Sequence, residues 1–170
     1  IEILPTTRWR EYRDLKLEAV TNEPLAFSSS EADVKEKTEK DWLEELAASS
    51  DAASGKILLF IEREGMLVGF AGAHGHRNKR FDHNAFLHGL YIKSEFRNKG
   101  LGALFMEKRI ELLCQRNPAL KNIHCEIIVT QTASIELHKK LGFEIVGQIK
   151  GLMRVDGRYY DEVWMEKSLY

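Results

Sequence analysis

A strand, a basic glycine loop and a helix follow one another directly near the middle of this chain, and no other feature constrains its fold as much. The loop is Arg97-Asn98-Lys99-Gly100-Leu101-Gly102. The apolar, strand-like run Phe86-Leu87-His88-Gly89-Leu90-Tyr91-Ile92 precedes it, and Ala103 to Leu113 follows with the spacing of an amphipathic helix. Glycine lets backbone approach a ligand closely and adopt positive φ. The N–H groups of a first helical turn have no partner within the helix, and the macrodipole favours negative charge beside them. Arg97 and Lys99 add two cations. The ligand implied is a phosphate or pyrophosphate.

Two familiar phosphate cradles do not fit. The loop lacks the four-residue gap and Gly-Lys-Ser/Thr of a P-loop. It also lacks the third glycine of the dinucleotide fingerprint and the acidic residue about twenty positions on. A formal net charge of −1 argues against nucleic-acid binding driven by a global positive field. No apolar run approaches the roughly 20 residues that span a bilayer, which argues against a membrane protein. Cys114 and Cys125 match no CxxC or zinc spacing and read as two buried free thiols of a reducing, cytoplasmic compartment.

Residues 1–170 read as one domain. Ile1 to Pro5 suggests an edge strand, Thr7 to Val20 a helix, and Glu31 to Ala48 a second helix with Val34, Trp42, Leu43 and Leu46 inward. Lys56 to Glu62 and Met66 to Ala71 form a hairpin about Glu64-Gly65. Phe86 to Ile92 is the next strand and Gly100 to Gln115 the next helix. Ile123 to Val129 is a strand, Ala133 to Lys140 a short helix, and Phe143 to Ile149 a strand that leads through Asp156-Gly157 to Tyr159–Lys167. The order βααβββαβαββ predicts an α/β (α+β) fold: a mixed, mostly antiparallel central sheet flanked by helices. His74, His76, His83 and His88 lie close in sequence, but no carboxylate completes a metal set. They read as a polar hairpin loop without metal, with His88 as a reserve proton carrier on its strand.

The element order resembles the GNAT superfamily of acyl-CoA-dependent N-acyltransferases. Two motifs carry the likeness: Leu90-Tyr91-Ile92 with Arg97-x-x-Gly100-x-Gly102, and Ser134-Ile135-x-Leu137-His138-Lys139-Lys140-Leu141-Gly142-Phe143. The resemblance implies that the fourth and fifth strands in chain order splay apart and receive the acyl thioester of acetyl-CoA as co-substrate. Arg97, Asn98, Lys99, Gly100, Leu101 and Gly102 would then hold the pyrophosphate. Leu90, Tyr91 and Ile92 would bond the pantetheine arm as a pseudo-strand, and a backbone N–H of that strand would polarise the thioester carbonyl.

Direct transfer to an amine moves protons, so the resemblance also points to Glu126 as general base. Members often carry an asparagine and, two helical turns on, a tyrosine acid; here Gln131 and His138 occupy those positions. Gln131 offers the same amide to the pantetheine. His138 is the candidate proton donor, since an imidazole ordinarily titrates at about pH 6.5 and is partly protonated at neutral pH. Thr21 to Ser30 and Gly151 to Tyr160 would wall the acceptor pocket, with Glu23, Glu31, Asp161 and Glu162 attracting a cationic amine. The expected activity is N-acetylation of a primary amine, on a small molecule or a peptide, with a homodimer compatible. A catalytically weak acyl-CoA sensor of the same fold, and a nucleotide-phosphate binder outside the family, are the other readings the residues allow.

Overall fold

A computed structural model describes all 170 residues. Six strands form one sheet: β1 (Lys56–Arg63), β2 (Met66–Gly75), β3 (Asn84–Ile92), β4 (Asn122–Ile128), β5 (Glu144–Val155) and β6 (Arg158–Ser168). Their spatial order is β1-β2-β3-β4-β6-β5. All neighbours run antiparallel except β3 and β4, which are parallel. The helices are α1 (Trp9–Asn22), α2 (Glu31–Glu36), α3 (Glu39–Ser50), α4 (Leu101–Arg116) and α5 (Thr132–Lys140). No helix is long and apolar enough to cross a membrane.

Strand alternation sorts the apolar side chains into two cores, one on each face of the sheet. Ile57, Leu59, Ala71, Leu87, Cys125, Ile127, Val163 and Met165 pack with Phe105, Met106 and Ile135 of α4 and α5. Leu58, Phe60, Phe70 and Tyr91 point the other way, against Tyr12, Leu15, Trp42 and Leu46 of α1 and α3. Helices therefore cover both faces of β1 to β3. The hairpin turns at Glu64-Gly65 and Asp156-Gly157 carry positive φ at both central residues (51° and 79°; 48° and 77°). That is the geometry whose twist matches the flanking strands.

Two local expectations change. Ile1 to Pro5 contributes a single bridge, Glu2 to Phe60, rather than a strand. Leu4 instead anchors this segment by burial in the α1–α3 core. The sequence's fourth and fifth strands are thus β3 and β4. The helix expected over Glu31–Ala48 breaks at Lys37-Thr38 into α2 and α3, because Thr38 caps the second piece. Its hydroxyl accepts from the Asp41 N–H at 3.4 Å, and the Asp41 carboxylate accepts from the Thr38 N–H at 2.7 Å. Ser30 and Asp33 form the same reciprocal box on α2. Thr38→Ala should lower unfolding stability by about 1 kcal/mol, the usual cost of a lost N-cap, with the denaturation midpoint as the measurement. An unchanged midpoint would mean the break is set by packing of Val34 and Trp42 instead. Cys125 is buried as expected and Cys114 only half-buried; both are free.

Candidate active site

The centre of the site is a defect in β3. Phe70 pairs with Tyr91 and Gly72 with His88, so Ala71 of β2 faces both Gly89 and Leu90 of β3. Gly89 adopts φ +61°. This β-bulge bends its strand, as such insertions do. β3 pairs with β4 only over Asn84–Phe86 and Asn122–His124. Beyond Phe86 the two strands part, and the β3 edge facing β4 is left without a strand partner. β4 meanwhile stays paired to β6 along its whole length. The result is a wedge closed at Phe86 and open toward Ile92.

Leu90, Tyr91 and Ile92 stand on that free edge. Leu90 and Ile92 pack toward α4. Tyr91 turns to the other face, where its hydroxyl donates to Glu18 at 2.8 Å. The chain then enters the glycine loop. Asn98 and Gly100 take positive φ, 59° and 78°. Gly100 is the N-cap of α4 and contributes no side-chain cap. A Cβ built on Gly100 meets nothing within 4 Å. The first N–H groups of a 16-residue helix therefore open onto free space at the mouth of the wedge.

The rest of the loop differs in detail from the sequence expectation. Arg97 is occupied: its Nε donates to the Ile92 carbonyl at 2.8 Å and its Nη1 to Glu23 at 2.6 Å. It ties the end of β3 to the end of α1. Lys99 donates to the Glu95 carbonyl at 2.9 Å. Gly102 has a packing reason for lacking a side chain, since its Cβ would lie 3.1 Å from Leu137 Cδ2 of α5. Gln131 is the N-cap of α5, half-buried, with no side-chain cap bond.

On the face opposite α4 and α5, β4 and β6 present Glu126, Ile128, Glu162 and Trp164 together, with Glu126 opposite Trp164 and Ile128 opposite Glu162. Glu126 is exposed and Glu162 is 8% exposed. Burial, and then the neighbouring Glu126 charge, raise the Glu162 carboxyl above its ordinary value. His138 of α5 is 4% exposed, and its Nδ1 lies 2.8 Å from the Ser134 carbonyl. That contact places the ring proton on Nδ1 and leaves Nε2 as a lone pair. Burial, reinforced by the Arg109 charge and opposed by the Ser134 bond, takes its pKa down to about 4. The ring is neutral at rest, a proton acceptor first.

The expected acceptor carboxylates are largely engaged. Glu23 holds Arg97, and Glu31 holds Lys35 at 2.5 Å. Asp161 accepts from the Gly151 N–H and the Gln148 amide, both at 2.9 Å. Two side chains stand nearer the bulge: His88, the reserve proton carrier of the sequence reading, and Lys16, which the sequence reading did not single out. His88 folds over Gly72, where a Cβ would fall 2.2 Å from its Cε1. Lys16 of α1 lies 4.3 Å from the Phe27 ring centroid and 5.1 Å from that of Phe70, and a Cβ on Gly89 would sit 3.8 and 3.9 Å from Phe70 and Phe27. Burial lowers the Lys16 pKa to about 8, Glu45 raising it in part and Lys37 lowering it further. No carboxylate lies within ion-pair distance of its ammonium. Beside them, Lys37, Glu45, Ser49, Leu58, His74 and His88 line a cavity of about 460 Å³. His74, expected in a loop, extends β2 and stacks on Phe86 at 5.5 Å.

Comparison with known proteins agrees with this geometry. The family model described as "Acetyltransferase (GNAT) domain" matches residues 7–164. An L-methionine sulfoximine/L-methionine sulfone acetyltransferase of Pseudomonas aeruginosa is 31% identical over 113 residues, which are 66% of this chain and 64% of that protein's length. A phosphinothricin N-acetyltransferase of Streptomyces coelicolor is 25% identical over 164 residues, 92% of this chain and 88% of that one. In three dimensions, a GNAT superfamily phosphinothricin acetyltransferase of Sinorhizobium meliloti, solved in complex with acetyl-CoA, superposes with a TM-score of 0.81. Its identity is 21%, over 99% of this chain and 86% of that one.

Proposed function

The chain belongs to the GNAT acetyltransferase family, and we propose that it moves an acetyl group from acetyl-CoA directly to the primary amine of a small, amino-acid-type acceptor. One observation carries the reading: the uncapped N-terminus of α4 opens at the mouth of the β3–β4 wedge. An anion-holding helix end and a free strand edge lie in one line, the order of pyrophosphate and pantetheine in an acyl-CoA. The residues fit that group. Gly100 leaves the space beside the helix end open, and residues Arg97 to Gly102 would hold the pyrophosphate there. Leu90 to Ile92 would bond the arm along their free edge, with Gln131 across the wedge. When bound, the group supplies a thioester, an acyl carbon on a good leaving group. The backbone at the bulge would polarise its carbonyl, and the wedge would hold amine and carbonyl in reach of each other.

The protons are moved by this chain's side chains. Glu126, exposed on the open face, takes the proton that an ammonium must lose before it can attack. His138 takes the second amine proton at Nε2 and passes it to the departing thiolate. The expected donor role of His138 is kept in this form, because the ring becomes an acid only after it has acted as a base.

The acceptor class rests on the relatives named above, which act on amino-acid-type compounds, and on Lys16. A half-buried ammonium with no carboxylate partner, beside the bulge, suits the carboxylate of an acceptor whose amine points at Glu126. Lys16→Met should raise KM for such acceptors by about 10-fold or more, since a charge-assisted contact is worth about 1.5–3 kcal/mol and about 1.4 kcal/mol is tenfold. KM for acetyl-CoA, and for amines without a carboxylate, should stay the same. An equal rise for both kinds of amine would remove Lys16 from acceptor recognition. The activity itself is tested by following acetyl-CoA consumption with methionine sulfoximine, methionine sulfone, phosphinothricin, ordinary amino acids, polyamines and peptides. Turnover confined to the amino-acid-type compounds is expected. Tight acetyl-CoA binding without turnover of any amine would leave the sensor reading in its place.

A further inference from the structure

α4 buries Leu101, Phe105, Met106, Arg109 and Leu113 along one stripe, and Arg109 is the only charge in it. It is 1% exposed. Its Nη1 donates to the Gly72 carbonyl at 2.9 Å and to the His88 carbonyl at 3.2 Å, and its Nη2 to Met106 Sδ at 2.6 Å. Its Nε has no partner. No carboxylate pairs with it; the titratable neighbour is Cys125 of β4, whose thiol is pushed up to about 12 by burial and is therefore neutral. Burial also lowers Arg109, but only to about 10, so it remains a cation. Burying an ion without a counter-ion is costly, and the two carbonyl bonds it makes offset only part of that cost. Apolar packing alone gives no reason to keep a charge at this position.

Its two carbonyl partners supply one. Gly72 and His88 face each other at the register step where β3 gains its extra residue. We propose that Arg109 is a positioning residue of the acyl-transfer site: reaching up from α4, it clamps the two carbonyls that define the β3 bulge and sets a full positive charge behind the strand segment Gly89–Leu90. The proposal rests on the acetyl-transfer reading for its chemistry. The clamp fixes the free strand edge before substrate arrives, and the charge favours negative charge developing on an acyl oxygen there, the kind of preorganised field that lowers such barriers. The same charge reaches the two imidazoles that flank the site. His88 is held down by burial, then by His74 from β2, Arg109 from α4 and Lys16 from α1, with Glu45 of α3 opposing. His138 feels burial and Arg109, with the Ser134 carbonyl opposing. Burial holds both rings in the proton-accepting form, and Arg109 adds to it at each.

The test compares Arg109→Met and Arg109→Lys in the whole chain. Arg109→Met should fold, and it should weaken acetyl-CoA binding by calorimetry far less than it lowers kcat, since the glycine loop is untouched and only the strand edge loosens. Its kcat should fall on the order of 10²-fold, the scale of a lost oxyanion-stabilising group. The imidazole resonances of His88 and His138 should titrate at higher pH than in the wild type. Arg109→Lys keeps the charge but cannot serve both carbonyls as a fork, so the titrations should match wild type while kcat recovers only in part. If Arg109→Met does not fold, Arg109→Lys decides: wild-type kcat in that variant overturns the clamp. A folded Arg109→Met with wild-type kcat, or with both imidazoles titrating as before, overturns the proposal. Imidazole shifts in a protein that acetylates no amine would instead sink the acetyl-transfer reading and leave the electrostatic role of Arg109 standing.

Discussion

Replacing Gly100 with valine is expected to weaken acetyl-CoA binding by about 10²-fold or more while the domain stays folded. Room is not the difficulty, because nothing lies within 4 Å of the added Cβ. The difficulty is the backbone, held at φ +78°. A left-handed conformation costs an L-residue roughly 1–2 kcal/mol, and a β-branched side chain tolerates it worst. The loop relieves that strain by leaving the conformation that aims the first N–H groups of α4 outward. Each hydrogen bond to a charged group is worth about 1.5–3 kcal/mol, so losing two accounts for a 10²-fold change or more. Gly102→Val is the contrasting variant. Its Cβ would meet Leu137, so its first effect should be a lower melting temperature as α4 and α5 are forced apart. Titration calorimetry with acetyl-CoA measures the one, thermal unfolding the other. A folded Gly100→Val protein with wild-type affinity would take the pyrophosphate away from this loop.

Most of the fold is legible in the sequence because it rests on local pattern. The hairpins at Glu64-Gly65 and Asp156-Gly157 declare themselves through residues that accept positive φ. β1 and β2, buried on both faces, read as apolar runs. What escapes depends on partners distant in sequence or on side-chain caps. Ile1 to Pro5 has the composition of a strand, but only Glu2 finds a partner, Phe60. The break between α2 and α3 turns on one hydroxyl and one carboxylate, Thr38 and Asp41. The spacing Thr-x-x-Asp records it, although apolar periodicity runs straight across.

The site divides in the same way. The glycine loop, the free edge at Leu90–Ile92 and the helix bearing His138 could be placed from motif and order alone. The state of each polar group could not, because it is set across elements. Arg97 looks like a free cation in the sequence, yet Glu23, far away in the chain, holds it. His138 looks partly protonated at neutral pH, yet burial, with Arg109 adding to it, makes it neutral. Lys16 and Arg109 each occupy an inward position of an amphipathic helix, where a charge is out of place. That misplacement was the available signal. Gly89 within an apolar strand marked the bulge in the same manner.

Glu126→Gln is the variant that most sharply divides the proton chemistry, because a second carboxylate shares its face. Glu162 lies two residue pairs further along β4 and β6, is nearly buried, and is raised by burial and by the Glu126 charge. Two carboxylates whose environments push them apart often divide acid and base work. If Glu126 is the base, Glu126→Gln should lower kcat/KM on the order of 10²-fold, the lower end for a lost general base, and the acidic limb of the pH profile should flatten. Acetyl-CoA affinity should be unchanged, since neither carboxylate touches the glycine loop. Had Glu162 been the base, the same substitution would act differently. Removing a neighbouring negative charge lowers the Glu162 pKa, so the acidic limb would move to lower pH with the plateau preserved. Glu162→Gln then completes the comparison: it should spare the plateau if Glu126 carries the proton and abolish the limb if it does not. A Glu126→Gln protein with full kcat/KM and a limb displaced toward acid would reassign the base to Glu162.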